Sequence, residues 1–215
     1  MSAHRAVAID GPAASGKSTV ARLLARKLGL VMVNSGAMYR ALTWRMLERG
    51  LDPQDEEVVA IAADEIEIEC GEEGGFSYIS VDGKVPTEDQ IRSAEVNAAV
   101  SFIAAVPRVR EILVQHQRAY LRTRDVVMEG RDIGSVIFPE TPYKLYVTAS
   151  EEVRAARRAA DGEADAVAAR DTRDSERKTA PLVVAEGAEV IDSSDLSIDE
   201  VVAKAYAVLQ ERGWN

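Results

Sequence analysis

The sequence predicts an α/β protein, a five-stranded parallel sheet flanked by helices, with a small antiparallel β insertion. Three observations carry this reading. Short apolar runs alternate with stretches of helical periodicity along most of the 215 residues. Turns containing glycine follow three of those runs directly, where the ligands of such sheets sit. The stretch from Ile66 to Val81 breaks the alternation with polar–apolar repeats of period two.

The first run, Ala6 to Asp10, suits a buried parallel strand. Gly11-Pro-Ala-Ala-Ser-Gly16-Lys17-Ser18 then fits G-x-x-x-x-G-K-[ST]. Val20, Leu23, Leu24 and Leu28 follow at helical spacing, with Arg22, Arg26 and Lys27 off that face. Strand, glycine loop and helix in register make a P-loop. Glycines let the backbone wrap closely, so successive N–H groups point at one anion, and the helix N-terminus adds partial positive charge. Gly11, Pro12, Ala13, Ala14, Ser15, Gly16, Lys17, Ser18 and Thr19 are the expected nucleotide-binding residues. Lys17 reaches for the β- and γ-phosphates, and Ser18 is the expected Mg²⁺ ligand.

Leu30 to Val33 reads as a second strand. Ser35 is the expected N-cap of a helix carrying Met38, Ala41, Leu42, Met46 and Leu47 and stopping near Gly50. A further helix is expected to start in Asp52-Pro-Gln-Asp-Glu-Glu57, with acids in its first turn. Ile66 to Cys70 and Phe76 to Val81 form the predicted ribbon, with a turn at Gly71–Gly75 and a hairpin signal at Asp82-Gly83. Ile91 to Ala105 and Val109 to Leu121 read as helices separated at Pro107. Val126 to Met128, Tyr143 to Val147 and Glu189 to Asp192 supply three more strands. A helix from Glu151 to Ala160 takes its N-cap from Ser150, and Ser197-Ile-Asp-Glu200 is a capping box for the last helix.

Composition narrows the chemistry. Hydrophobic residues make 47% and charged residues 29%, as in an ordinary globular protein with no run long enough for a membrane span. A single cysteine, Cys70, excludes an internal disulfide and a thiolate zinc cluster. Two histidines, His4 and His116, leave little for a histidine-based hydrolase. The net charge of −10 argues against nucleic acid or an anionic membrane as partner. It leaves room for a small phosphorylated substrate, because local arginines decide that, and Arg40, Arg131, Arg170, Arg173 and Arg177 all fall in or near expected loops. The expected setting is the cytoplasm.

Switch GTPases carry N/T-K-x-D for guanine, which is missing here. Translocating ATPases cap an apolar strand with Asp or Asp-Glu, whereas Val126–Glu129 is followed by Gly-Arg-Asp. A small-molecule kinase fits better. It needs a P-loop for ATP, arginines for a second phosphate, and an arginine-rich lid against water.

At this point the chain resembles the bacterial cytidylate kinases, within the nucleoside monophosphate kinases. The resemblance runs collinearly through Ile9–Ser18, Ser35–Arg40, Val109-Arg110, Gly130–Gly134, Val136–Pro139, Arg170–Asp174 and Arg177–Leu182. It implies a single 1–215 kinase domain, a nucleoside-monophosphate region at 36–105 with its ribbon at about 66–87, and a lid at 155–182. It further implies transfer of the γ-phosphate of ATP to CMP or dCMP, with Mg²⁺, by a monomer. By the same resemblance Arg40, Arg131 and Arg177 would hold the acceptor phosphate and transferring group. Arg170, beside Lys17, would assist transfer and, with Asp174, hold the ribose hydroxyls. Ser35 would seat the acceptor, and Ser101, Arg110 and Asp132 would read the cytosine. Two departures stand out. The segment from Arg158 to Val167 is shorter than the family's helical hairpin, and Lys178-Thr179 replaces small or apolar residues, so Lys178 is an alternative lid cation.

Plainer roles exist for the same residues. Asp132 would serve as the N-cap of a turn, Arg110 as a solvated helix residue paired with Glu111 or Asp125, and Ser101 as a small helix residue. The 170–177 run would be a solvated salt-bridge face, and Met38 and Tyr39 helix packing.

Overall fold

A computed structural model describes residues 4–160, 172 and 180–215. In chain order its main elements are β1 (Ala6–Asp10), α1 (Lys17–Leu28), β2 (Val31–Asn34), α2 (Ser35–Glu48), α3 (Glu56–Glu65), β3 (Ile68–Glu73), β4 (Phe76–Val81) and α4 (Glu88–Ile91). Then come α5 (Ala94–Ile103), α6 (Pro107–Ala119), β5 (Val126–Gly130), β6 (Lys144–Thr148), α7 (Glu151–Ala160), β7 (Glu189–Asp192) and α8 (Ile198–Glu211). The chain divides into two compact units, Met1–Val33 with Leu121–Asn215, and Asn34–Tyr120.

The first unit is the predicted α/β layer. Its strands run in the order β2-β5-β1-β6-β7. β1 is parallel to both β5 and β6, and β6 is parallel to β7. Apolar side chains explain the central position of β1, which is buried along its whole length. Val7, Ile9, Val20, Leu24, Val127, Leu145, Ile191 and Leu209 form one core, where helix stripes meet the sheet. The register sets Asp10 beside Gly130, so the P-loop and the Gly130 turn leave neighbouring strands at the same end. Ser150 and Ser197 cap their helices as expected, the latter through a full capping box with Glu200.

The second unit packs α2, α3, α5 and α6 around Met38, Leu42, Met46, Val59, Ile103 and Leu113. β3 and β4 pair antiparallel from Ile68 opposite Val81 to Glu73 opposite Phe76. Ile79 and Val81 turn toward the core, while the apolar Phe76 and Tyr78 on the opposite face are exposed, which simple polar–apolar alternation does not predict.

Several local expectations are corrected. Asn34, not Ser35, caps α2: its side chain accepts from Ala37 N–H, and Ser35 becomes the first helical residue. α3 does start within the expected stretch, at Glu56 behind an Asp55 cap and with Glu56 and Glu57 in its first turn, while Asp52 accepts from Gln54 N–H in a tight turn. The helix expected from Ile91 to Ala105 begins only at Ala94: Ile91 is the last residue of α4, and Ser93 caps α5 by accepting from Val96 N–H. β3 begins at Ile68 and runs on to Glu73, which confines the turn to Gly74 and Gly75. Asp82-Gly83 does make a tight turn, but it closes only a single bridge between Val81 and Lys84.

Candidate active site

The P-loop has the local chemistry its sequence requires. A Cβ on Gly11 would come within 2.0 Å of the Val147 carbonyl oxygen, so no other residue fits there. Gly16 turns the chain at φ 88°, and Ala14 adopts φ 57°, a left-handed conformation uncommon for a residue with a side chain. α1 then starts at Lys17 with no side-chain cap and no acidic residue in its first turn. Its positive end is thus kept for an anion from elsewhere.

Every carbonyl from residue 11 to residue 15 is bonded to a side chain. Arg131 Nη1 donates to Gly11 O (3.4 Å), Lys17 Nζ to Pro12 O (3.0 Å) and Arg154 Nη1 to Ala13 O (3.3 Å). Arg157 Nη1 donates to Ala14 O (3.5 Å), and Ser193 Oγ to Ser15 O (3.0 Å). Arg157 also donates to Ser193 Oγ (3.0 Å) and O (2.9 Å), which ties α7 to the turn after β7. Each peptide unit points its N–H opposite its C=O. Fixing the carbonyls therefore fixes the direction of the amides that an anion would meet.

Two carboxylates flank this loop. Ser18 Oγ donates to Glu129 Oε1 (2.9 Å), and Glu129 is buried at the end of β5. Asp10 is buried at the end of β1, where Oδ1 accepts from Ile133 N–H and Oδ2 from Gly134 N–H, both at 2.7 Å. Burial pushes the Asp10 carboxyl up to about 7. The two amides and Lys17 pull the other way, while Asp132 adds to the rise.

Arg131 and Asp132 sit in the turn after β5, ahead of one wide π-type turn at Ile133–Ile137. Asp132 is buried, and its side chain makes no capping bond, so the N-cap role is not the one it plays. Arg131 is half-buried over Gly11.

The remaining described candidates lie in the second unit. Ser35 is buried at the start of α2. Arg40, one turn on, donates Nη1 to Ile91 O and Asn97 Oδ1, both at 2.8 Å. Ser101 is buried on α5. Arg110 is buried on α6, with its guanidinium 5.7 Å from the centre of the Tyr39 ring and Nη1 3.4 Å from Ala104 O. That overturns the solvated-pair alternative for Arg110. Glu111 bonds Arg108 instead, and Asp125 bonds Arg5. Met38 and Tyr39 are buried in the core, as packing residues are.

Arg170, Arg173, Asp174, Arg177 and Lys178 lie outside the described residues, as does most of the expected lid at 155–182. Sequence reasoning missed Asp10, Glu129, Arg154, Arg157 and Ser193. Strand-terminal acids after apolar runs are a usable signal for the first two. The others act on loop carbonyls more than 140 residues away in sequence, where no spacing rule reaches. Burial lowers His116 and pushes the Cys70 thiol up to about 12, so Cys70 is not a reactive thiolate at neutral pH.

Comparison with known proteins shows the family. The cytidylate kinase from Geobacillus thermodenitrificans is 42% identical over 217 residues, covering 96% of both chains. That from Limosilactobacillus reuteri is 41% identical and covers 95% of both. A bifunctional pantoate ligase/cytidylate kinase of Synechococcus is 42% identical over 95% of this chain, which spans only 42% of that longer protein. A gluconokinase from Sinorhizobium meliloti shares the fold, with a TM-score of 0.50 at 15% identity over 97% of this chain and 93% of its own. The family model described as cytidylate kinase matches residues 7–211, and the chain belongs to that family of nucleoside monophosphate kinases.

Proposed function

We propose that the chain transfers the γ-phosphate of ATP to CMP or dCMP, with residues 11–19 as the donor site. The carrying observation is the loop itself, whose carbonyls at 11–15 are all held by side chains while its helix end is left uncapped by any acid. Such a loop binds a polyphosphate, and Lys17 adds a movable positive charge. Mg²⁺ suits the oxygen donors present, Ser18 Oγ with the Glu129 carboxylate behind it. Among the described residues no group of three or more His, Cys, Asp or Glu could cage a metal. Ser18 would therefore hold an ion carried chiefly by the nucleotide's phosphates. When bound, that ion neutralises charge on the β- and γ-oxygens.

Arg40 and Arg131 hold the acceptor phosphate, Ser35 seats it, and Ser101, Arg110 and Asp132 read the base. On the same reading Arg170 and Asp174 would bind the ribose and Arg177 the transferring group, all three lying outside the described residues. The acceptor is itself a phosphate with a second pKa near 6, so it is mostly dianionic at pH 7 and needs no strong base. Alignment and charge cancellation are the enzyme's work, and water is kept out because it is a smaller nucleophile. The chain works as a monomer in the cytoplasm. Among the described residues no helix is long and apolar enough to cross a membrane.

A coupled ADP-release assay tests the proposal. ADP release should depend on CMP and be slow without it. Slow hydrolysis indifferent to CMP would make the protein a nucleotide-binding switch instead.

A further inference from the structure

We infer that Asp10 is a positioning residue for base selection, holding the turn that carries Asp132 by accepting from both Ile133 N–H and Gly134 N–H. The inference deepens the base-reading role proposed for Asp132 and rests on it.

The geometry is specific. Asp10 ends β1, and Gly130, its register partner, ends β5. Beyond that point the two chains are joined by side-chain bonds on both sides of Asp132. Ahead of it, Arg131 Nη1 reaches the Gly11 carbonyl (3.4 Å). Behind it, the Asp10 carboxylate takes the next two amides, one on each oxygen, at 2.7 Å. Asp132 is thus the middle residue of a turn anchored on both sides to consecutive residues, Asp10 at the end of β1 and Gly11 at the start of the loop.

The turn needs this anchor. Ile133 and Gly134 open a π-type turn, whose first amides have no partner within the turn itself. Both are buried, where an unmade amide bond is expensive. A neutral side chain cannot replace the carboxylate. Asparagine offers one acceptor oxygen and sets an NH₂ against the other amide. One amide would lose its partner, and the turn would shift to recover one. Space there is limited: a Cβ on Gly134 would lie 3.2 Å from Lys144 Cδ and 3.3 Å from Ala185 Cβ. A displaced turn carries Asp132 with it, and a base-reading carboxylate loses discrimination when its geometry loosens.

The test compares the CMP:UMP ratio of kcat/KM for wild type, Asp10→Asn and Asp132→Ala at saturating ATP. Measurements at pH 8 keep the Asp10 carboxylate ionised, since burial raises it to about 7. Asp10→Asn should lower the ratio by about tenfold or more, the worth of a hydrogen bond to a charged group. KM for ATP should stay within about threefold, because the carbonyls of residues 12–15 are held by side chains outside that turn. A merely destabilised enzyme would lose activity toward both acceptors equally and keep its ratio. A ratio that falls in Asp132→Ala but not in Asp10→Asn overturns the inference and leaves the base-reading role standing. An unchanged ratio in Asp132→Ala overturns the base-reading role and the inference with it. Should Asp10→Asn fail to fold, amide exchange in the wild type decides the matter. Ile133 and Gly134 N–H should be among the slowest to exchange, and rapid exchange at both would overturn the anchor.

Discussion

At the scale of single residues, the site is governed by which groups are held and by what. Lys17 lies over Pro12 O and is positioned before any ligand arrives. Removing it takes a charge from a preorganised site. Lys17→Ala should lower kcat by roughly 10²–10³, with the unfolding midpoint nearly unchanged. Wild-type turnover in that variant would remove the loop from the mechanism. Asp10 makes a prediction about stability. Its carboxyl sits near 7 in the folded protein, above the ordinary 3.8. Between those values the folded state keeps a proton that the unfolded state releases, so this group costs stability as pH rises from about 4 to 7. The full cost, at most about 4 kcal/mol, is present above pH 7. Wild-type stability relative to Asp10→Asn should therefore decline over that window in urea unfolding. A flat difference would show that Asp10 is not held in a desolvated place.

Elements are where the sequence was most and least legible. Buried strands announced themselves, because an apolar run such as Ala6–Asp10 has few other uses. Helix starts were harder, because Asn34 and Ser35 are both good caps and adjacent, and only the local backbone selects one. Ser93 hid a helix break because apolar periodicity continues across it from Ile91 to Val96. The loop and the Arg131-Asp132 turn were readable from local pattern. The arginines of α7 that grip the loop were not, since their targets are set by folding alone. The turn after β4 offers a test at this scale. Asp82 stands at φ 50° and accepts from Arg45 Nε (2.6 Å), Arg49 Nη2 (2.7 Å) and Glu67 N–H (3.1 Å). Partial burial raises its carboxyl, but the two guanidiniums and the amide win and hold it down at about 2. Asp82→Ala should destabilise by about 2 kcal/mol at pH 7, through lost charged hydrogen bonds and an alanine forced into a left-handed turn. Because the folded pKa is depressed, that contribution is present above pH 4 and fades as pH falls toward 2. Denaturant unfolding at pH 7 and pH 2.5 checks both parts. An equal loss at the two values would mean that the charge is irrelevant.

For the whole molecule, the proposed catalysis rests on charge placement and not on a strong base. The net charge of −10 is compatible with binding anions because the loop, Lys17, Arg131, Arg154 and Arg157 concentrate positive charge at one strand end. The acid limb of kcat/KM should then follow the acceptor phosphate and fall below about pH 6. An acceptor analogue with a different phosphate pKa should move it, and an unmoved limb would assign the titration to an enzyme carboxylate.

Under the proposed function, the site reads cytosine. Cytosine offers an amino donor at position 4 and acceptors at N3 and O2, whereas uracil offers a carbonyl and an N–H at the first two. On the proposed reading Asp132 and Ser101 would accept from the amino group, and Arg110 would donate to the ring acceptors. The direct measurement is kcat/KM for CMP, dCMP and UMP with ATP in the unmodified enzyme. CMP and dCMP should exceed UMP by a factor that reaches roughly 10⁴ if the site is dry, because uracil leaves buried polar groups unpaired. A UMP efficiency within about threefold of CMP would contradict the account, since unpaired buried groups cannot cost so little.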